Sequence, residues 1–158
     1  MSETSSDHRA TVEWRRNTPG FDYATYDRAH VLRFEGGIEV PAGAAPRNIP
    51  KTAPRAAGVD PEQAFVAAVS SCHMLWFLHL ACAAKLVVDR YTDRAVGVLA
   101  KNLQGKMAIT RVTLRPEVVF AGAQPAPGEL ARLHAQAHEE CFIASSVRSE
   151  IVVEPQPG

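Results

Sequence analysis

Residues 64–84 form a run of 21 positions without a single Asp, Glu, Lys or Arg. A helix of that length is long enough to cross a bilayer, so the run must be either a membrane span or the inside of a fold. Ser70, Ser71, His73 and His79 lie near its middle, where polar groups are costly in hydrocarbon. Alanines replace much of the usual Leu/Ile/Val content, and no Lys/Arg cluster flanks either end. No membrane association is expected. The better reading is a helix buried on nearly all sides, which a small domain achieves most easily at the centre of a subunit interface. Asp60-Pro61-Glu62 gives it a strong start, with Asp60 as N-cap and Pro61 in the first helical position. It is expected to end near Leu86.

The remaining pattern predicts short strands on both sides of that helix. Residues 11–15 alternate, and residues 30–40 read as a hairpin turning at Gly36-Gly37. Four prolines and two glycines make residues 41–60 a Pro-rich loop, and a loop this long is usually functional. Strands are expected over 95–99, over 109–114 continuing past Pro116 to Phe120, and over 150–154. A second helix is expected over 129–140, with a short segment following Cys141. This is an α+β chain with a mainly antiparallel sheet, read as one domain over residues 1–158 with tails at 1–9 and 155–158.

Seventeen Lys and Arg balance seventeen Asp and Glu, which gives no reason to expect nucleic-acid binding. The first residues lack the basic and apolar regions of a signal peptide. Three cysteines do not make a disulfide scaffold. A reducing cytoplasm is the expected setting.

Two of the cysteines have polar, His-flanked surroundings: Ser70-Ser71-Cys72-His73 and His138-Glu139-Glu140-Cys141. Cys82 lies in an apolar stretch. A thiol reacts as its thiolate, and positive or dipolar neighbours favour that form. The contrast suggests one cysteine that reacts and another that resolves.

Asp60-Pro61-Glu62-Gln63-Ala64-Phe65 followed by Cys72, the Ser-Ser-Cys72-His73-Met74-Leu75 context and His138-Glu-Glu-Cys141-Phe142-Ile-Ala-Ser-Ser146 together resemble the osmotically inducible protein C and organic hydroperoxide resistance (OsmC/Ohr) family. The order of elements from Thr11 to Glu154 resembles it as well. The resemblance implies an OsmC-like fold with a long buried central helix, an intertwined homodimer, and reduction of organic hydroperoxides by a cysteine pair. Cys72 would be the peroxidatic thiol and Cys141 the resolving one, joined as a Cys72–Cys141 disulfide in the oxidised form. It also implies a supporting Arg on the N-terminal sheet, a supporting Glu62, and a dithiol reductant such as a lipoylated protein. Better-known members place proline after the second cysteine, where this chain has Phe142, which bears on how well Cys141 is held.

The residues set limits of their own. Cys72 lies about three turns into its helix, so the helix dipole helps it little. His73 points about 100° away from it, and His79 is about 10 Å further along the axis. An arginine from the sheet is the expected partner of the thiolate: Arg28 first, with Arg33, Arg47 and Arg55 behind it. Glu62 is about 15 Å from Cys72 along one helix, so a shared site needs the second subunit, with Glu62 holding the guanidinium fork.

Phe65, Leu75, Trp76 and Phe142 are candidates for an apolar substrate wall. No metal or bound cofactor is expected. Two other readings compete: a non-catalytic dimer that binds an apolar ligand, and a Cys/His zinc site built from Cys72, His73, His138 and Cys141. Against the zinc site, Cys72 and His73 diverge on their helix.

Overall fold

The computed structural model describes residues 5–158. Of the expected N-terminal tail, residues 1–4 lie outside the described residues, and 5–9 carry no regular element. The chain divides into two compact units, one ending at Ala64 and one running from Phe65 to Gly158.

In the first unit, β1 (Ala10–Glu13), β2 (His30–Phe34) and β3 (Glu39–Ala42) make an antiparallel sheet with β2 in the middle. The expected hairpin joins β2 to β3. Its turn holds Gly36 at φ 82° and Gly37 at φ 78°, a region that side chains disfavour. The segment expected to be loop from 41 to 60 is more structured than its prolines suggest. β3 runs through Pro41 to Ala42, and Pro41 is tolerated because β3 is an edge strand. Ala42 also bridges Val59. A Cβ on Gly58 would lie 2.8 Å from the Ala42 carbonyl carbon, so this close approach requires glycine. A single 3-10 turn spans Pro46–Asn48.

Helix α1 (Pro61–Ala83) begins as the sequence predicts. The Gln63 N–H donates to Asp60 Oδ1 at 2.8 Å, and the Asp60 N–H donates back to Gln63 Oε1 at 3.2 Å, a reciprocal capping box. The helix ends three residues before Leu86. Lys85 turns left-handed at φ 63°, while the Leu86 N–H reaches Ala81 O at 2.9 Å and the Lys85 N–H reaches Cys82 O at 3.0 Å. This is a Schellman stop with lysine where glycine is usual.

The second unit contains two sheets. β4 (Val88–Asp93), which the sequence reading misses, pairs antiparallel with β7 (Pro116–Phe120). β5 (Val96–Lys101), β6 (Met107–Leu114) and β8 (Glu150–Val153) form the other, antiparallel between β5 and β6 and parallel between β6 and β8. β6 and β7 are therefore not one strand. Pro116 has no N–H to extend a ladder, and the Arg115 N–H is taken by Asp93 Oδ1 at 2.6 Å. Helices α2 (Pro127–Glu140) and α3 (Phe142–Ser146) precede β8. The expected tail at 155–158 is not wholly free, since Gln156 bridges Glu117.

Val69, His73, Phe77 and Ala81 form the buried stripe of α1. Its early part packs with Val112 and Leu114 of β6. Its later part packs with Val118, Phe120, Leu133 and Ala137 of β7 and α2. Outside that stripe α1 is only partly covered, and Leu75 is exposed. Burial on nearly all sides is thus not reached within one chain, because a single layer of elements covers only one face. By length and composition α1 is apolar enough to cross a membrane, with a mean hydropathy of 1.6 over its most apolar window.

Candidate active site

Cys72 and Cys141, far apart in sequence, come together in the second unit. Cys72 is half-buried on α1, and Cys141 is 1% exposed between α2 and α3. The Cys141 thiol has Cys72 as a neighbour close enough to disfavour its ionisation. Burial, and then that contact, pushes Cys141 up to about 11, against the opposing pull of the Ala144 and Ile143 N–H groups. Both cysteines are free thiols, as is the exposed Cys82. Cys82 is ten residues further along α1, about 15 Å along the axis.

The turn that holds Cys141 forms without proline. Its N–H donates to His138 O at 3.3 Å, ending α2. Its sulfur accepts the Ala144 N–H at 3.4 Å as the N-cap of α3, and its carbonyl accepts the Ser145 N–H at 3.0 Å. Phe142 occupies the first position of α3 and leans out, exposed, with its ring edge-on to Trp76 at 5.4 Å. Trp76 is one turn beyond Cys72 on α1, so these two rings and the two thiols share a neighbourhood. Leu75 is exposed on the next row of α1. Phe65 instead packs beside Val69 and Val112 in the core, and the structure does not group it with Trp76 and Phe142.

Arg28 and Glu62 belong to the first unit and line one open cavity of about 680 Å³. Arg28 donates from Nη1 to Tyr26 O at 3.0 Å and from Nη2 to Tyr23 O at 2.9 Å. Its guanidinium lies 3.8 Å from the centre of the Tyr26 ring. Glu62 Oε1 accepts from Asn48 Nδ2 at 3.3 Å, while Glu62 Oε2 is buried without a partner. Among the described residues no salt bridge joins Arg28 to Glu62, so the expected guanidinium clamp is not formed within the chain. Of the reserve arginines, Arg33 is committed to Glu13 and Glu39, Arg47 sits in the Pro46–Asn48 turn, and Arg55 lines a smaller hollow with Arg28.

Three features escape sequence reasoning. Asn48 reaches Glu62 only because its 3-10 turn folds back. The aromatic residues Trp14, Phe21, Tyr23 and Tyr26 line the Arg28 cavity. The third is a buried histidine pair: His73 Nε2 and His134 Nδ1 are 3.1 Å apart, with rings parallel to 3°. Desolvation lowers both rings to about 4, helped at His73 by the neighbouring histidines. The sequence shows only that His134 and His138 stand four apart on one face of α2; the approach of His73 depends on the packing of α1 against α2. Among the described residues no group of three or more His, Cys, Asp or Glu side chains is placed to hold a metal ion.

The architecture is α+β with mostly antiparallel sheets, carrying an adjacent pair of free thiols. Residues 54–156 match the family model described as OsmC-like protein, and the chain belongs to the OsmC/Ohr family. It is similar, at 47% identity and a TM-score of 0.91, to an OsmC-like protein of unknown function from Vibrio cholerae, covering 96% of this chain and 100% of that one. Its fold is shared by the organic hydroperoxide resistance protein OhrB of Bacillus subtilis, at 19% identity and a TM-score of 0.67 over 97% and 98% of the two chains. It is also shared by an organic hydroperoxide resistance protein OsmC from Legionella pneumophila, at 17% identity and a TM-score of 0.64 over 99% of each chain. No curated protein matches the sequence.

Proposed function

We propose that the protein is a cysteine-based peroxidase that reduces organic hydroperoxides and works as a homodimer. The adjacency of the Cys72 and Cys141 thiols carries this reading. Solved neighbours named organic hydroperoxide resistance proteins support it.

In the first step the Cys72 thiolate attacks one oxygen of the hydroperoxide. An S–O bond forms, the O–O bond breaks, and the alkoxide leaves as the alcohol after taking a proton. The sulfur is oxidised by two electrons. Cys141, a neutral thiol beside it, then condenses with the Cys72 sulfenic acid. An S–S bond forms and the sulfenic oxygen departs as water. A dithiol, of which a lipoylated protein is one chemical example, returns both cysteines to thiols by exchange.

Arg28 stabilises the attacking thiolate and Glu62 orients Arg28. The length of α1 makes these two residues serve the partner's Cys72 rather than their own. Trp76, Phe142 and Leu75 supply an apolar wall, whereas Phe65 packs in the core. No metal or bound cofactor enters the chemistry. Three free thiols suit a reducing compartment such as the cytoplasm.

The test is peroxide consumption with a bulky organic hydroperoxide and with hydrogen peroxide, each with several dithiols. The organic substrate should be reduced faster. Cys72→Ser should abolish turnover and Cys82→Ser should leave it nearly intact. Equal loss in both variants overturns the assignment.

A further inference from the structure

The loop between β1 and β2 contributes nothing to the sheet, yet it is tied down along its length. Trp14 Nε1 donates to Asp27 O at 2.8 Å and Asn17 Nδ2 to Asp27 Oδ2 at 2.8 Å. Asp22 Oδ1 accepts the Ala24 N–H at 3.1 Å, and Thr52 Oγ1 donates to Ala24 O at 2.8 Å. What these bonds fix is a set of rings. Trp14 and Phe21 stand 5.6 Å apart, Phe21 and Tyr26 5.1 Å, and Trp14 meets Tyr26 edge-on at 6.2 Å. Phe21 is nevertheless 68% exposed, and Tyr23 beside it 71% exposed. Rings held in place by their own loop lose little freedom when a ligand covers them.

All four rings line the cavity that also contains Arg28 and Glu62. Arg28 spends two N–H groups on the Tyr23 and Tyr26 carbonyls, which leaves donors unspent on a five-donor guanidinium. Glu62 Oε2 is a buried acceptor without a partner. A hydroperoxide head is itself a donor and an acceptor, so it matches that pair. The aromatic walls then decide what carbon skeleton may follow the head. A straight alkyl chain gains burial there, whereas a ring gains burial and the edge-to-face or offset contacts of its quadrupole. The loop also lies outside residues 54–156, which the family model matches.

We infer that the 14–27 loop is the specificity-determining wall of the substrate site, and that it selects ring-bearing (aryl) hydroperoxides by packing the ring against Trp14, Phe21 and Tyr23. This inference deepens the peroxidase reading and rests on it.

Cumene hydroperoxide and tert-butyl hydroperoxide differ by a phenyl in place of a methyl, which makes them the matched pair for kinetics. The wild type should favour the cumene compound in kcat/KM by about tenfold or more. Phe21→Ala and, as a second exposed position, Tyr23→Ala should each reduce that ratio severalfold. Equal rates in the wild type, or an unchanged ratio in both variants, overturn the wall. So does an unchanged ratio accompanied by loss of self-association, because the rings would then face a second copy of the chain. A parallel arm uses the unreactive alcohol 2-phenyl-2-propanol in saturation-transfer NMR. Transfer to its ring protons that weakens in Phe21→Ala supports the wall, and no transfer overturns it. If the wild type reduces neither hydroperoxide, the peroxidase reading fails, and the alcohol alone judges the wall.

Discussion

A thiol pushed up to about 11 stays protonated across the physiological range, so in the proposed mechanism Cys141 is suited to the resolving role and Cys72 to the attack. That division predicts the behaviour of Cys141→Ser. It should consume about one equivalent of hydroperoxide and then stall as a Cys72 sulfenic acid, open to further oxidation. The wild type should yield a Cys72–Cys141 disulfide instead. Mass spectrometry of peroxide-treated protein distinguishes the two, and a disulfide that involves Cys82 would refute the pairing. Both cysteines were legible in the sequence because polar neighbours set them apart from Cys82. The surroundings of Glu62 were not. Its contact with Asn48 depends on a 3-10 turn inside a Pro-rich stretch, where no periodicity exists to be read.

Among the elements, α1 and α2 are joined by the His73–His134 bond, and this gives the pair of helices a dependence on pH. At least one ring must be neutral for the bond to exist, and both are buried, at 1% and 3% exposure. Their folded values lie near 4, against an ordinary 6.5. Above pH 6.5 neither the folded nor the unfolded chain protonates them, and their contribution is at its full value. As pH falls below 6.5 the unfolded chain takes up protons that the folded one refuses, so stability declines until about pH 4. The loss is of the order of 3 kcal/mol per ring at most. Urea-unfolding midpoints at pH 7 and pH 4.5 measure it. The double variant His73→Leu/His134→Phe, which removes both polar partners together, should have a shallower slope; an unchanged slope would place the pH dependence elsewhere. The same scale shows what the sequence could and could not reveal. The α1 start was plain because Asp60 and Gln63 cap each other across three residues. Its stop was not, because Lys85 occupies a left-handed position that sequence rules reserve for Gly or Asn. β4 was missed because Asp89, Arg90 and Asp93 interrupt its alternation, and it has only one neighbouring strand, β7.

For the whole molecule, the incomplete cover on α1 is the main physical reason to expect a second copy. Leu75, Phe142 and the β5 residues Val96, Val98 and Leu99 are all exposed, a larger apolar display than a lone small chain usually tolerates. Sedimentation at low micromolar concentration should show a dimer, and a monomer would remove the shared site proposed for Arg28, Glu62 and the partner's Cys72. The parallel pairing of β6 with β8 has a different consequence, one that concerns order in time. Arg111 on β6 and Glu150 on β8 are bonded at 2.8 Å across 39 residues of sequence. β5 can pair with β6 as soon as both have been synthesised. The opposite edge of β6 must wait for β8, which is made only after β7, α2 and α3, and during that interval it is an unpaired template for any other strand. Synthesis rate should therefore govern how much of the nascent protein is lost to aggregation, with β8 acting as the closure of its sheet.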